Sequence, residues 1–136
     1  MAKEAWINLP VKDLDKAKQF FIAIGFEPNP RHPGNEGMAS IMVGTTIIML
    51  FPEATLQTFI QHPIANTALG NELIISFDAA SREEVDEVAR KVEAAGGTLF
   101  GPPSEIQGWM YGCGFVDLDG HRWNALYMDM SKMPKG

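Results

Sequence analysis

Few side chains of this sequence stand where they could do chemistry, and those that do are polar groups set beside aromatic or apolar ones. Trp6 and Asn8 lie two residues apart in a stretch that reads as a strand, so both point to one face. An indole wall beside an amide suits a flat ligand, held by stacking and a hydrogen bond; the competing reading is a tryptophan that merely fills a cavity. Glu72 opens a second strand pattern. At the floor of an apolar cavity, desolvation would raise its pKa and fit it to act as a general base or to accept a ligand's hydrogen bond. At a frayed strand start after Gly70-Asn71 it would face water instead. Asn124 shares a strand face with Arg122 and Leu126, and inside a cavity its amide needs a partner, since an unsatisfied buried amide costs about 1–3 kcal/mol.

Other chemistries find no support. The chain has no Gly-rich phosphate loop, no serine nucleophile elbow and no Cys-His signature. Cys113 has no sequence neighbour that would activate a thiolate and reads as an inert core thiol. His32 falls in a Pro- and Gly-rich loop, His62 precedes a proline, and His121 sits in an Asp-Gly-His turn; no metal-ligand spacing relates them. Asp117 and Asp119 belong to the same turn, which lacks the longer glycine-centred loop and distal glutamate of a calcium site.

These residues need a scaffold, and 136 residues with 46% hydrophobic and 21% charged content suit one compact soluble domain. No apolar run approaches the roughly 18 residues that span a bilayer. The opening Met-Ala-Lys-Glu-Ala-Trp has no apolar secretory segment, and one cysteine cannot form an internal disulfide, so the expected compartment is the cytoplasm. A net charge of −6 without a basic stripe argues against nucleic acid, and no basic amphipathic helix marks a membrane surface. A small, partly apolar or aromatic ligand is the partner this composition favours. Eight methionines and eight phenylalanines suit an adaptable cavity, though most are expected to fill core.

Two helical patterns anchor the scaffold. From about Asp13 to Ile24, the residues Leu14, Ala17, Phe21 and Ile24 form one apolar stripe, with Asp13 as N-cap and Gly25 as the left-handed stop. From Ser81 to Ala95, the residues Val85, Val88, Val92 and Ala95 repeat it, opened by a Ser81–Glu84 capping box and closed by Gly96-Gly97. Gly25 superposes on Gly96 at an offset of 71 residues, a weak internal repeat. Strand patterns flank each helix: Ala5–Leu9, Phe26–Asn29, Met38–Val43 and Thr46–Phe51, then Glu72–Phe77, Thr98–Phe100, Trp109–Val116 and Arg122–Met128. The segment at Gly101-Pro-Pro-Ser reads as a loop, and Thr55–Gln61 as a short helix in the linker. The facing of Trp109–Val116 stays open: either Met110, Gly112 and Gly114 or Tyr111, Cys113 and Phe115 turn away from the helix.

Each half thus reads β-α-β-β-β. The opening Leu-Pro-Val-x-Asp-Leu at Leu9 to Leu14 and the closing Asp-Leu-Asp-Gly-His-x-x-Asn at Asp117 to Asn124, in this order and with the repeat, resemble the vicinal oxygen chelate superfamily of glyoxalases, bleomycin-resistance proteins and extradiol dioxygenases. The resemblance covers Trp6 to about Met128 and implies an α+β fold: two paired β-α-β-β-β units, about 4–52 and 71–130 within a single domain of residues 1–136, forming a cup-shaped mixed sheet with the helices outside. It also implies metal-ligand places in the first and last strands of each half. Those places fall here on Trp6, Met49, Glu72 and Asn124, of which only Glu72 is an ionisable donor. The expectation is therefore no metal and no cofactor at this position. The resemblance to the bleomycin-resistance branch implies a homodimer that binds a small molecule without metal, lined by Trp6, Asn8, Met49, Glu72 and Asn124. A second reading is a glyoxalase-like lyase or isomerase that uses Glu72 as catalytic base or a shifted metal site. A third is a non-catalytic protein whose cup is filled by its own side chains and which acts through partners.

Overall fold

In the computed structural model, residues 1–31 and 37–134 are described. The expectation for His32 lies outside them. The chain divides into two units, 1–69 and 70–136. In the first unit, β1 (Trp6–Val11) leads into α1 (Leu14–Ala23), followed by β2 (Glu27–Pro28), β3 (Ala39–Val43), β4 (Thr46–Pro52) and α2 (Glu53–Ile60). The second repeats the plan with β5 (Ile74–Asp78), α3 (Arg82–Ala94), β6 (Thr98–Ile106), β7 (Met110–Val116) and β8 (Arg122–Met128). A 3-10 turn at Met130–Lys132 follows. The fold is α+β, with two four-stranded mixed sheets of order β1-β4-β3-β2 and β5-β8-β7-β6.

The helix boundaries follow from their caps. Asp13 accepts a hydrogen bond from the Lys16 amide at 3.0 Å, and the Ser81 hydroxyl accepts from the Glu84 amide at 3.1 Å. Both helices end on a left-handed glycine, Gly25 at φ 118° and Gly96 at φ 97°. The residue after each closes a six-to-one bond back onto the helix, Phe26 to the Phe21 carbonyl at 3.0 Å and Gly97 to the Val92 carbonyl at 2.9 Å. The repeat suspected at an offset of 71 residues is thus the same helix exit used twice.

Each helix buries its stripe on one face of its own sheet. In the first unit Ala17, Phe20 and Phe21 of α1 and its C-cap Ile24 are buried together with Leu9, Val11, Ile41, Ile48 and Leu50 of the sheet. In the second, Val85, Val88, Ala89 and Val92 pack with Phe115, Trp123 and Ala125, and the Phe115 and Trp123 rings stack at 6.2 Å with planes 2° apart. Burying each of the valine, leucine, isoleucine and phenylalanine side chains contributes on the order of 1.5–3 kcal/mol. The opposite sheet faces hold Trp6, Asn8 and Met49 in the first unit and Asn124 in the second. Among the described residues, no helix is long and apolar enough to cross a membrane.

Two expectations need correction. Gly101-Pro-Pro-Ser is part of a strand, since β6 runs unbroken from Thr98 to Ile106. Its register slips between Leu99 and Gly101 and again between Gly101 and Ser104. β6 is an edge strand, where a proline can lack its amide hydrogen without losing a ladder bond, and bulges absorb the irregularity. The strand expected to open at Glu72 begins at Ile74 instead. Gly70 and Asn71 precede it, and the Asn71 amide Nδ2 donates to the Gly120 carbonyl at 2.9 Å, so the chain is pinned by a side chain before the ladder starts.

Candidate functional site

The parallel pairing of β1 with β4 sets Trp6 opposite Ile47 and Asn8 opposite Met49. Alternation sends Leu9 and Val11 to the helix and leaves Trp6, Asn8, Ile47, Met49 and Phe51 on the open face. There they line a pocket of about 210 Å³ together with Glu4, Asn29 and Arg31. Trp6 is 56% exposed and walls the pocket, whereas Met49 is buried in its floor. At the rim, Arg31 pairs with Glu4 at 3.9 Å. Asn29 is buried; its Oδ1 accepts from the Arg31 amide at 3.1 Å, while its Nδ2 has no hydrogen-bond partner among the described residues. The Ser40 hydroxyl, buried on β3 opposite Met49, is likewise unpartnered among them.

Three of the residues singled out from sequence therefore converge: Trp6, Asn8 and Met49. Sequence reasoning missed Ile47 and Phe51, although each stands two residues from Met49 and so shares its face. It also missed Asn29 and Arg31, whose Asn-Pro-Arg turn is the kind of local signal that could have flagged them.

In the second unit β7 runs antiparallel to β8 with Gly114 opposite Asn124 and Gly112 opposite Leu126. The open question of its facing is settled. Cys113 and Phe115 turn into the helix side, the Cys113 thiol reaching the Val85 carbonyl at 3.9 Å, so the glycines face away. A pocket of about 190 Å³ lies over them, with Phe100, Ser104, Asn124 and Leu126 among its walls. A Cβ on Gly114 would stand 2.4 Å from the Phe100 ring, so that ring lies directly on the strand. The Arg122 guanidinium sits over the same ring, 4.7 Å from the Phe100 centroid. Asn124 Oδ1 is buried without a hydrogen-bond partner among the described residues.

Glu72 is exposed and lies two residues before β5. The β5 residue opposite Asn124 is Ser76, so strand register does not set Glu72 beside it. The Asp117 turn is an internal anchor. Asp117 Oδ1 accepts from the amides of Asp119 at 2.9 Å and His121 at 3.0 Å, and Oδ2 accepts from the Trp123 indole at 3.0 Å. Burial pushes the Asp117 carboxyl above its ordinary range, opposed by His121 and by these three donors. Burial also raises the Cys113 thiol, as expected for an inert core cysteine.

A family model describing the glyoxalase/bleomycin resistance protein/dioxygenase superfamily matches residues 4–125. The chain belongs to that superfamily. Among solved structures it is similar to a hypothetical protein from S. aureus, at 38% identity over 93% of this chain and 95% of that one, with a TM-score of 0.84. It shares the fold of a glyoxalase/bleomycin resistance protein/dioxygenase family enzyme from Burkholderia phytofirmans (18% identity, 90% and 96% covered, TM-score 0.77). It also shares the fold of a genomically encoded fosfomycin resistance protein from Listeria monocytogenes (21% identity, 97% and 98% covered, TM-score 0.68). No curated protein sequence matches the chain.

The places that the resemblance assigns to metal ligands, Trp6, Met49, Glu72 and Asn124, hold one ionisable donor, the exposed Glu72, and do not fit a metal. An indole cannot ligate, a thioether is soft, and Asn124 offers a neutral amide; among the described residues no three His, Cys, Asp or Glu side chains gather as a metal would need.

Proposed function

We propose that this superfamily member binds a small, partly apolar or aromatic molecule without a metal, on the open face of the β1–β4 sheet. The observation that carries this reading is the pocket of about 210 Å³ in which Trp6, Asn8 and Met49 meet. A half-exposed indole, a carboxamide and a polarisable thioether form a surface for a flat ligand, with stacking and dispersion supplying affinity and the amide supplying orientation. Asn124, with its unpartnered Oδ1, is the corresponding polar group of the second unit, and Glu72 is retained as a candidate ligand contact. Association into a homodimer and a cytoplasmic location belong to the same reading; light scattering of the purified protein tests the former.

The alternative of a lyase or isomerase driven by Glu72 draws less support. A general base gains strength from a desolvated setting, and Glu72 is exposed. A protein whose cavity is filled by its own Trp6 is disfavoured too, because that indole remains 56% exposed.

The test is equilibrium binding of a panel of aromatic acids, ketones and amines to the tag-free protein, with and without a chelator. Saturable binding that survives the chelator and weakens in Trp6→Ala supports the proposal. Binding that requires added divalent metal overturns it.

A further inference from the structure

The pocket on the first unit is lined by a carboxamide whose donor is left unused among the described residues. Asn29 is 2% exposed, and its Nδ2 has no hydrogen-bond partner among the described residues. Its orientation is dictated by its neighbours. The Asn29 amide donates to the Ser40 carbonyl at 3.1 Å, and its Oδ1 accepts from the Arg31 amide at 3.1 Å. Turning the carboxamide over would set Nδ2 against that amide, donor against donor, so Oδ1 stays bonded and Nδ2 is left as the free end. Two residues on, the Arg31 guanidinium lines the same pocket, in an ion pair with Glu4 that is stretched to 3.9 Å between two exposed side chains. A pair of this kind is weakly held and can give way to a better acceptor.

The rest of the pocket is apolar and shaped for a ring. Trp6, Ile47, Met49 and Phe51 form its walls and floor. Its volume, about 210 Å³, falls below the roughly 300–1,000 Å³ of sites for drug-sized ligands, so the occupant is a single ring with a short substituent. Donors from Asn29 and Arg31 beside a flat apolar wall define complementary chemistry in the ligand.

We propose that the occupant is a small aromatic carboxylate, its acid oxygens received by Asn29 Nδ2 and the Arg31 guanidinium and its ring laid against Trp6 and Met49. The proposal rests on the reading of this pocket as a ligand site and names the class of ligand it takes. A carboxylate can accept from both donors at once, and a hydrogen bond between charged partners is stronger than one between neutral ones. A ketone offers one neutral acceptor. A primary ammonium offers donors alone, which Asn29 Nδ2 and Arg31 cannot use.

The test is a fluorine NMR titration with three probes that share one ring: para-fluorobenzoate, para-fluoroacetophenone and para-fluorobenzylamine. The wild-type protein is expected to bind the benzoate roughly tenfold or more tightly than the amine, with the ketone between them. Arg31→Gln, at an exposed side chain, and Asn29→Asp, which keeps the shape and the Oδ1 acceptor but removes the donor, should each weaken the benzoate by roughly tenfold. Trp6→Ala should weaken all three probes. If the amine binds as well as the benzoate, or both polar variants leave the benzoate unchanged, while Trp6→Ala still weakens binding, the pocket is a ligand site and the carboxylate assignment is wrong. If no probe binds saturably to the wild-type protein, the reading of the pocket as a ligand site falls with it.

Discussion

Asn8 stands directly opposite Met49 in the register of β1 and β4, on the sheet face that points away from α1. The pair is informative because Met49 is the residue on which the sequence resemblance leads us to expect a metal-ligand place. In this chain the position is a soft thioether in the floor of a pocket, and its register partners on either side are a neutral amide, Asn8, and a hydroxyl, Ser40. Parallel pairing fixes this juxtaposition through the backbone, so it does not depend on a particular side-chain rotamer.

Trp6 should matter to binding more than to folding. Its side chain is more than half exposed, so Trp6→Ala is expected to change stability by about 1 kcal/mol or less. Ligand affinity should fall several-fold with the loss of the stacking wall. Thermal melts and probe titration on the same preparation separate the two effects.

The two glycines of β7 should differ when changed to alanine. At Gly112 a new Cβ meets the Ala125 carbonyl oxygen at 2.8 Å as well as the Leu126 side chain. At Gly114 the nearest atoms all belong to the Phe100 ring, whose side chain is half exposed and can swing aside. Gly112→Ala is therefore expected to cost about 1–3 kcal/mol and Gly114→Ala clearly less. Urea unfolding of the two variants decides this, and an inverted order would show that the Phe100 ring is held rigidly.

The Asp117 anchor should be worth about 2–4 kcal/mol, because its carboxylate takes two backbone amides and the Trp123 indole in a buried turn. Asp117→Asn cannot accept from all three donors. Trp123→Phe removes one donor along with part of the ring, and a double-mutant cycle between the two positions should show coupling. Additive losses would contradict the account of the turn.

The alkaline limb of stability should involve Tyr111. Its hydroxyl donates to Asp86 Oδ1 at 2.6 Å, and that bond, with desolvation, raises the phenol above its ordinary value of 10.0. The native state therefore holds the proton more tightly than the unfolded chain. The stability from this contact is fully present below pH 10.0 and is lost as pH rises through the raised native value. Tyr111→Phe should flatten that part of the stability–pH curve; an unchanged curve would contradict the assignment.

Cys113 should be silent toward thiol reagents in the native protein. It is buried, and burial raises its pKa. One equivalent of thiol should appear with Ellman's reagent on denaturation. Rapid reaction under native conditions would show that β7 opens.

Much of this was legible in the sequence where the signal was local. The stripes Ala17–Phe21–Ile24 and Val85–Val88–Val92, with Gly25 and Gly96 behind them, specified both helices and their exits. Strand alternation was enough to put Trp6 and Asn8 together. It could not fix the facing of β7, which turned on whether a bulge intervened, and the bulges lie in its neighbour β6. The prolines of β6 argued for a loop because edge position, which makes proline tolerable, is a property of the sheet and not of the segment. Asn29 and Arg31 escaped notice for a similar reason: they come from a turn after β2, and only the register of β3 on β4 brings that turn to the pocket.

The central claim is that the β1–β4 face binds an organic ligand without a metal. The most direct measurement is a titration of tag-free, chelator-treated protein with para-fluorobenzoate, run beside Trp6→Ala. The account predicts saturable binding to the chelator-treated wild type that is several-fold weaker in the variant. No binding until a divalent metal is restored, or equal binding by the two proteins, would contradict it.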